Sequence, residues 1–512
     1  PKALSSMAVT TVPDGVEKLT VDDKQFLGTS QEISGITEHD PLDILDIAKR
    51  ESYLTTFAWP QASAPETLLW NCRVQPQLYA QTTSGQNPYH LTSLAYASLP
   101  FKFWTGTLNF RFQIVASAFH KGRVKVVYDP DYLASAEYNV NYLEIVDLSE
   151  KSDFTVSISN TQAITLLQSY TAGPYDQDDI FKTSAFTNKG LGNGVIGMYI
   201  VNELTTPNSS ETSDIEVNVF VSAGDDFQVF VPDERQGYFV TKPDTSPSSA
   251  DEPSTRGRIA RMFEKQSGSE ETGGDALNTE NLDDPEQSET TQLVLSPKEE
   301  MTTNLVFTGE AVRSLRPLAK RYNLHRTIGM YDNTPSQNYG SFPAFPYWRG
   351  NVPGAVNTSA VGPYNYCNTV MLHWCTLAFS GWRGGIRWKL IRRGERSETG
   401  LSQIYLQRKD IYGSDSYSQT TNTLPTAANA KAAASMTILS NPDSSSNGGP
   451  MYGARGLAFV TQDVNPNMEF EAPYYSDVRF TPGKPLNYTQ VQENCETINY
   501  QWYDHGDQTT LL

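Results

Sequence analysis

Cysteine is scarce. The chain has four in 512 residues (Cys72, Cys367, Cys375 and Cys495), and none forms a C-x-x-C pair. That spacing argues against a disulfide framework or a cysteine-built zinc site and points to a reducing compartment. No apolar run approaches the length of a membrane-spanning helix, and no signal peptide opens the chain. The first residue is Pro1 rather than Met, which fits release from a longer polyprotein or a trimmed chain. Positive charge is also short: 39 Lys and Arg face 58 Asp and Glu, a net charge of −19. A protein of that balance does not coat nucleic acid with its whole surface, so any such contact needs a local basic segment. The six histidines (His39, His90, His120, His325, His373 and His505) show neither metal-ligand spacing nor a nucleophilic partner in sequence. No metal site and no cofactor is therefore expected.

Aromatic residues, proline and glycine are plentiful, a profile of all-β domains with long loops. The length exceeds one core and suits two domains. The organising stretch is Phe101 to Pro130. Leu108, Phe110, Phe112 and Ile114 fall on every second position, the period of a strand with one buried face. A turn at Ala118–Gly122 leads into a second strand, Arg123 to Tyr128, which Asp129-Pro130 ends. A looser copy, His373 to Ile391, has its own glycine turn at Gly384-Gly385 followed by a basic alternating strand, and suggests a duplicated β domain.

In chain order, residues 1–38 read as an arm. Asp40-Pro41 opens a short helix, with Asp40 as its N-cap and Lys49 and Arg50 at its end. Strands are predicted over 67–74, 96–104, 108–118, 123–128, 141–148, 154–158, 195–203 and 215–222, enough for two packed antiparallel sheets. Gly190–Gly194 reads as a turn entering the strand at Val195 rather than as a phosphate loop, which would need Lys and Ser or Thr after it. Trp59, Trp70 and Trp104 read as packing residues rather than base-stacking ones. Residues 241–303 are rich in Ser, Thr, Gly, Asp and Glu and read as a disordered acidic linker. Thereafter 308–316 reads as a helix that Pro317 ends or kinks, and strands are predicted over 371–379, 385–391, 456–461, 468–471 and 496–502. The alanine-rich 426–436 reads as a loop insertion.

The first half carries the helix after Asp40-Pro41, Phe57-Ala58-Trp59, Phe103-Trp104-Thr105-Gly106, Phe119-His120-Lys121-Gly122-Arg123 and Asp225-Asp226-Phe227. The second carries Gly309-Glu310 with Ser314-Leu315-Arg316, Trp382-Arg383-Gly384, and Glu471-Ala472-Pro473-Tyr474-Tyr475-Ser476. In this order the motifs resemble two consecutive capsid proteins of a picorna-like virus, of dicistrovirus-like or marine algal type. The resemblance implies two eight-stranded antiparallel jelly-roll β-sandwiches, over residues 1–240 and 304–512, joined by the linker 241–303. It implies a structural, non-enzymatic protein of an icosahedral shell of pseudo-threefold design enclosing a positive-strand RNA genome. Its implied partners are the other capsid proteins of the same polyprotein, the viral RNA, a viral cysteine protease and a host receptor. Its implied location is the virion, with the host cytoplasm during assembly. The chain's end departs from the pattern: Tyr503–Gln508 lies near the expected final strand without an Asp-Asp-Phe motif, and with the sequence stopping at Leu512 that strand is expected to be incomplete. The alternative is a two-domain jelly-roll carbohydrate-binding or cupin-like protein, although the clustered His and Glu ligands of a cupin are missing from the pattern.

Three sets of candidate site residues follow. The viral proteases of this resemblance favour Gln before a small residue, which marks Gln266-Ser267 for cleavage, with Gln287-Ser288 as runner-up. Arg256, Arg258, Arg261 and Lys265 form the clearest basic cluster of the linker, a candidate contact for RNA phosphates. Asp225, Asp226 and Phe227 match a motif linked in related viruses to maturation cleavage of a small internal capsid protein. A carboxylate near a peptide bond can serve as general acid or base. The plainer reading makes Gly224–Asp226 the end of a strand and Phe227 an anchor.

Overall fold

The computed structural model describes residues 16–21, 40–81, 89–131, 142–169, 179–186, 192–207, 214–235, 290–294, 301–310, 312–328, 336–349, 367–393, 403–409, 456–461, 468–475, 479–483, 497–504 and 508–511. The chain forms two compact units that cut across its linear order. One comprises 35–239 with 272–316, the other 317–512 with 1–34 and 240–271.

In the first unit the strands of the two main sheets are β1 (Ser52–Trp59), β2 (Leu68–Arg73), β3 (Leu108–Val115), β4 (Lys121–Asp129), β5 (Tyr142–Asp147), β6 (Asp153–Ile158), β7 (Val195–Thr205), β8 (Ile215–Ala223) and β9 (Thr290–Val294). One sheet runs β9-β6-β3-β8-β1. The other runs β2-β7-β4-β5, with the short strand Phe181–Lys182 outside β2. The alternation expected of Leu108–Val115 is present: its odd-numbered partners face out and Leu108, Phe110, Phe112 and Ile114 are buried. Between the sheets the Phe57 ring stacks on Trp70 at 5.5 Å, Trp70 meets Phe112 edge-on at 6.0 Å, and Phe112 stacks on Phe154 at 5.5 Å. Trp59, Trp70 and Trp104 are all buried, as packing residues should be.

In the second unit the strands are β10 (Arg326–Ile328), β11 (Ser336–Pro343), β12 (Ile386–Arg393), β13 (Gln403–Lys409), β14 (Leu457–Thr461), β15 (Met468–Ala472), β16 (Thr497–Asp504) and β17 (Gln508–Leu511). Its sheets run β15-β12-β17-β10 and β11-β16-β13-β14. Position for position this repeats the first unit, so each half is an eight-stranded jelly roll. The core gathers Phe342, Phe345, Trp348, Trp388, Leu390, Met468 and Phe470. The Tyr503–Gln508 stretch straddles the end of β16 and the start of β17, and the final strand has four residues against nine in β8.

The repeat corrects the alignment read from sequence. By topology, Ile386–Arg393 matches β3 rather than the strand after Gly122. Trp382-Arg383-Gly384 then matches Trp104-Thr105-Gly106, and Gly106 and Gly384 both take positive φ, at 112° and 142°. Of the expected strands, 371–379 is a helix over most of its length, and 96–104 is a helix at its start and a strand from Phe101 to Thr105. Ser93–Ser98 is α2, because Thr92 caps it by accepting the Ala95 N–H at 3.1 Å. Met371–Leu377 is also a helix, and a short wholly apolar run does not distinguish a buried helix from a buried strand. Strands β1, β9, β10, β11, β13 and β17 went unread. The helix α1 (Ile44–Ala48) has Asp43 as N-cap, accepting from Leu45 and Asp46 N–H at 2.8 and 3.2 Å, so Asp40 is not its cap. Residues 301–308, not 308–316, form helix α3, which stops at Gly309 with φ 71°. Pro317 sits in the first turn of the short helix Arg316–Ala319, where its missing N–H costs nothing.

Candidate functional site

Each jelly roll has one sheet edge closed by a segment from the other side of Gln266-Ser267. The segment on the first, Thr290–Val294, is a strand inside the stretch 241–303, which by composition reads as a disordered linker. On β6, residues of β9 add a parallel strand, with Thr155 opposite Thr290, Val156 opposite Thr291 and Ser157 opposite Gln292. On the matching strand β15, Glu17–Lys18 adds in parallel, with Glu17 opposite Phe470 and Lys18 opposite Glu471. The Leu19 N–H continues this ladder to Glu471 O at 3.2 Å, and its side chain is buried in the second core. Burying a leucine stabilises by roughly 1.5–3 kcal/mol, more than so short a ladder supplies by itself. Gly456, with φ 79°, fits the approach: a Cβ there would lie 3.0 Å from the Leu19 backbone. An uncovered strand edge is a template for unwanted pairing, and these additions cover both.

A second cluster centres on Asp40. Its carboxylate accepts from the Ser314 hydroxyl at 2.7 Å and from Arg316 at 2.6 Å (Nη2) and 3.3 Å (Nε). The Leu42 N–H adds a fourth bond at 3.1 Å. The Arg316 guanidinium holds the Asp40 carboxyl down at about 2. The backbones pair alongside: Ile44 N–H donates to Arg313 O at 2.9 Å and Leu315 N–H to Leu42 O at 3.0 Å. Leu315 itself is fully buried.

The Asp225–Phe227 motif lies at the end of β8, and its three side chains go separate ways. Asp226 accepts from the Thr107 N–H and hydroxyl, each at 2.9 Å. Asp225 is 85% exposed and pairs with Lys49 at 2.6 Å. Phe227 is buried with its ring 6.4 Å from that of Trp104. The two carboxylates thus have different partners. Gln266, Ser267, Gln287, Ser288, Arg256, Arg258, Arg261 and Lys265 lie outside the described residues. Among the described residues no cluster of His, Cys, Asp and Glu has the geometry to hold a metal ion. Sequence reading missed the Asp40 cluster and both strand additions. The signal available was the pairing of two singled-out motifs, Asp40-Pro41 and Ser314-Leu315-Arg316, which spacing alone does not connect.

Residues 300–504 match the family model described as CRPV capsid protein like. The chain is 27% identical over 243 residues to the genome polyprotein of deformed wing virus, 45% of this chain and 8% of that polyprotein. It is 22% identical over 235 residues to the structural polyprotein of cricket paralysis virus, 43% of this chain and 25% of that one. The chain thus spans only a small part of these relatives. A chain from the structure of a marine algae virus of the order Picornavirales is 32% identical, covering 47% of this chain and 94% of that chain, with a TM-score of 0.43. The carbohydrate-binding or cupin-like alternative finds no favour among these relatives. The family model is matched through the second jelly roll and the relatives are polyproteins of picorna-like viruses, so the role these comparisons support is a structural one, similar to that of the capsid proteins of such viruses.

Proposed function

We propose that the chain comprises two consecutive shell subunits that are separated by proteolysis between Gln266 and Ser267 and stay together as one building block. With the other capsid proteins of their polyprotein they close an icosahedral shell around the RNA genome, assembling in the host cytoplasm. The observation that carries this reading is the reciprocal strand addition. Each arm pairs with the jelly roll on the other side of Gln266-Ser267, so ladder hydrogen bonds rather than the linker hold the halves, and a cut leaves them joined. The protease required is one that accepts Gln before a small residue in an extended segment, as the viral cysteine protease implied by the sequence does. N-terminal sequencing of the second protein from purified particles tests it. A start at Ser267 supports the reading, and a start elsewhere, including Ser288, or an uncut chain, overturns it.

After that cut, Arg256, Arg258, Arg261 and Lys265 form a basic tail on the first subunit, suited to RNA phosphates by charge. Replacing the three arginines with glutamine lowers packaged RNA per particle if the tail contacts the genome, and leaves it unchanged if the tail only displays the cleavage site. For Asp225-Asp226-Phe227 the reading best supported is a turn clamp. Both Asp226 oxygens are occupied by Thr107.

A further inference from the structure

We propose that Asp40 and the Leu42–Ile44 backbone form a receptor for the Arg313–Arg316 segment, a peptide clasp that keeps the two products of the chain joined after the linker is cut. The inference rests on the processing reading above and adds to it the residues that resist separation.

The partner's chemistry is written in the contact. Arg313–Arg316 lies antiparallel to Leu42–Ile44, with Asp43 opposite Ser314. The chain turns directly after the bridge, with the Arg316 N–H donating to the Ser314 hydroxyl at 3.1 Å, and this turn brings Ser314 and Arg316 together on Asp40 while Leu315 between them is fully buried. Backbone pairing supplies grip, the leucine supplies buried area, and the forked guanidinium on a carboxylate supplies selectivity. Arginine matters in this place because lysine offers a point charge rather than two parallel donors.

The Asp40 carboxylate is available for this because Asp43, not Asp40, caps α1. The segment approaches the clasp from α3, which ends at Gly309 with φ 71°, and leaves it through the helix begun at Arg316. Both charged side chains are partly exposed, Asp40 by 32% and Arg316 by 49%. Salt therefore weakens the pair, and its effect is modest on its own. It gains from acting beside the buried leucine and the backbone bonds.

The experiment uses the full chain with a specific protease site inserted between Gln266 and Ser267. After cutting, exchange of the labelled second half against an excess of unlabelled cut chain gives the rate at which the halves part. Asp40→Asn and Arg316→Ala are each expected to raise that rate about tenfold. The double variant should part no faster than either single one. Raising salt should speed the wild-type exchange and leave Asp40→Asn nearly unaffected. A synthetic peptide of residues 309–321 should accelerate exchange of the unaltered chain, and the same peptide carrying Arg316→Ala should not. This arm needs no variant protein to fold. Rates within twofold of wild type for both single variants, or equal potency of the two peptides, overturn the proposal. The cut is engineered, so a natural cleavage found elsewhere would sink the processing reading without touching this result.

Discussion

Asp226 holds Thr107 with both of its carboxylate oxygens, one on the backbone N–H and one on the hydroxyl, each at 2.9 Å. The contact ties the end of β8 to the turn that starts β3, and the Gly224 N–H donates to Thr107 O at 2.8 Å beside it. Asp226→Ala leaves the Thr107 N–H without its acceptor, while the Thr107 hydroxyl keeps Ser159 at 3.0 Å, and should cost about 1–3 kcal/mol by denaturant unfolding. Asp226→Asn keeps one acceptor for the N–H, and the Thr107 hydroxyl can turn to accept from the new amide, so its cost should stay below about 1 kcal/mol. Particles carrying Asp226→Asn should release any small internal protein at the wild-type rate. Normal assembly with that protein still fused would instead make the carboxylate chemical.

The matched pair Gly106 and Gly384 separates backbone strain from collision. Alanine at either must take a positive φ, at about 1–3 kcal/mol. At Gly106 the new Cβ would also lie 2.6 Å from the Asp226 carbonyl oxygen and the Phe227 Cα, whereas at Gly384 nothing stands within 4 Å. Gly106→Ala should therefore lower the midpoint of thermal unfolding clearly more than Gly384→Ala. Equal losses would mean that the Gly106 turn gives way.

Lys389 is buried on β12 and bonded to Glu469 of β15 at 2.6 Å, with the Tyr322 ring 5.5 Å away. Removing the carboxylate is the harsher change because it leaves an ammonium in a dry site. Glu469→Ala should cost about 3–5 kcal/mol, while Lys389→Met with Glu469→Leu should be near neutral or stabilising. Urea midpoints of the three chains check the order, which reverses if the pair's attraction exceeds its desolvation.

Strands with one wet face were legible because alternation shows through. Leu108–Val115, Ile215–Ala223 and Met468–Ala472 all lie where the pattern put them. Met371–Leu377 was not, since a buried helix and a buried strand are both uniformly apolar. Asp40 was misread for a different reason. An Asp before Pro looks like a helix cap, and its true partners, Ser314 and Arg316, come from across the linker. The same holds for Glu17–Lys18 and Thr290–Val294. Two to five residues that join a sheet by backbone bonds carry no periodicity, and nothing in composition marks them as strands. The resemblance singled out Asp40-Pro41 and Ser314-Leu315-Arg316 separately, and only the fold showed that they face each other.

His373 is buried and satisfied in one neutral tautomer. Its Nδ1 accepts the Val370 N–H at 3.1 Å, capping the helix that follows, and its Nε2–H donates to Pro346 O at 3.0 Å. A second buried ring, His325, has its centroid 6.1 Å away and lies edge-on to Trp388 at 5.7 Å. Burial holds His373 at about 4 and His325 at about 3, the latter helped by the neighbouring His373. An unfolded imidazole takes its proton near 6.5. Between that value and the native ones the unfolded chain binds more protons, so stability is level above pH 6.5 and falls as pH drops toward 4. Each ring contributes a slope of at most about 1.4 kcal/mol per pH unit in that window. Protonating Nδ1 of His373 also breaks the cap. Denaturant unfolding at pH 7, 6, 5 and 4.5 should show this loss, and His325→Phe, which keeps the ring packing against Trp388, should flatten it by about half. An unchanged slope in that variant would move the acid sensitivity away from this pair.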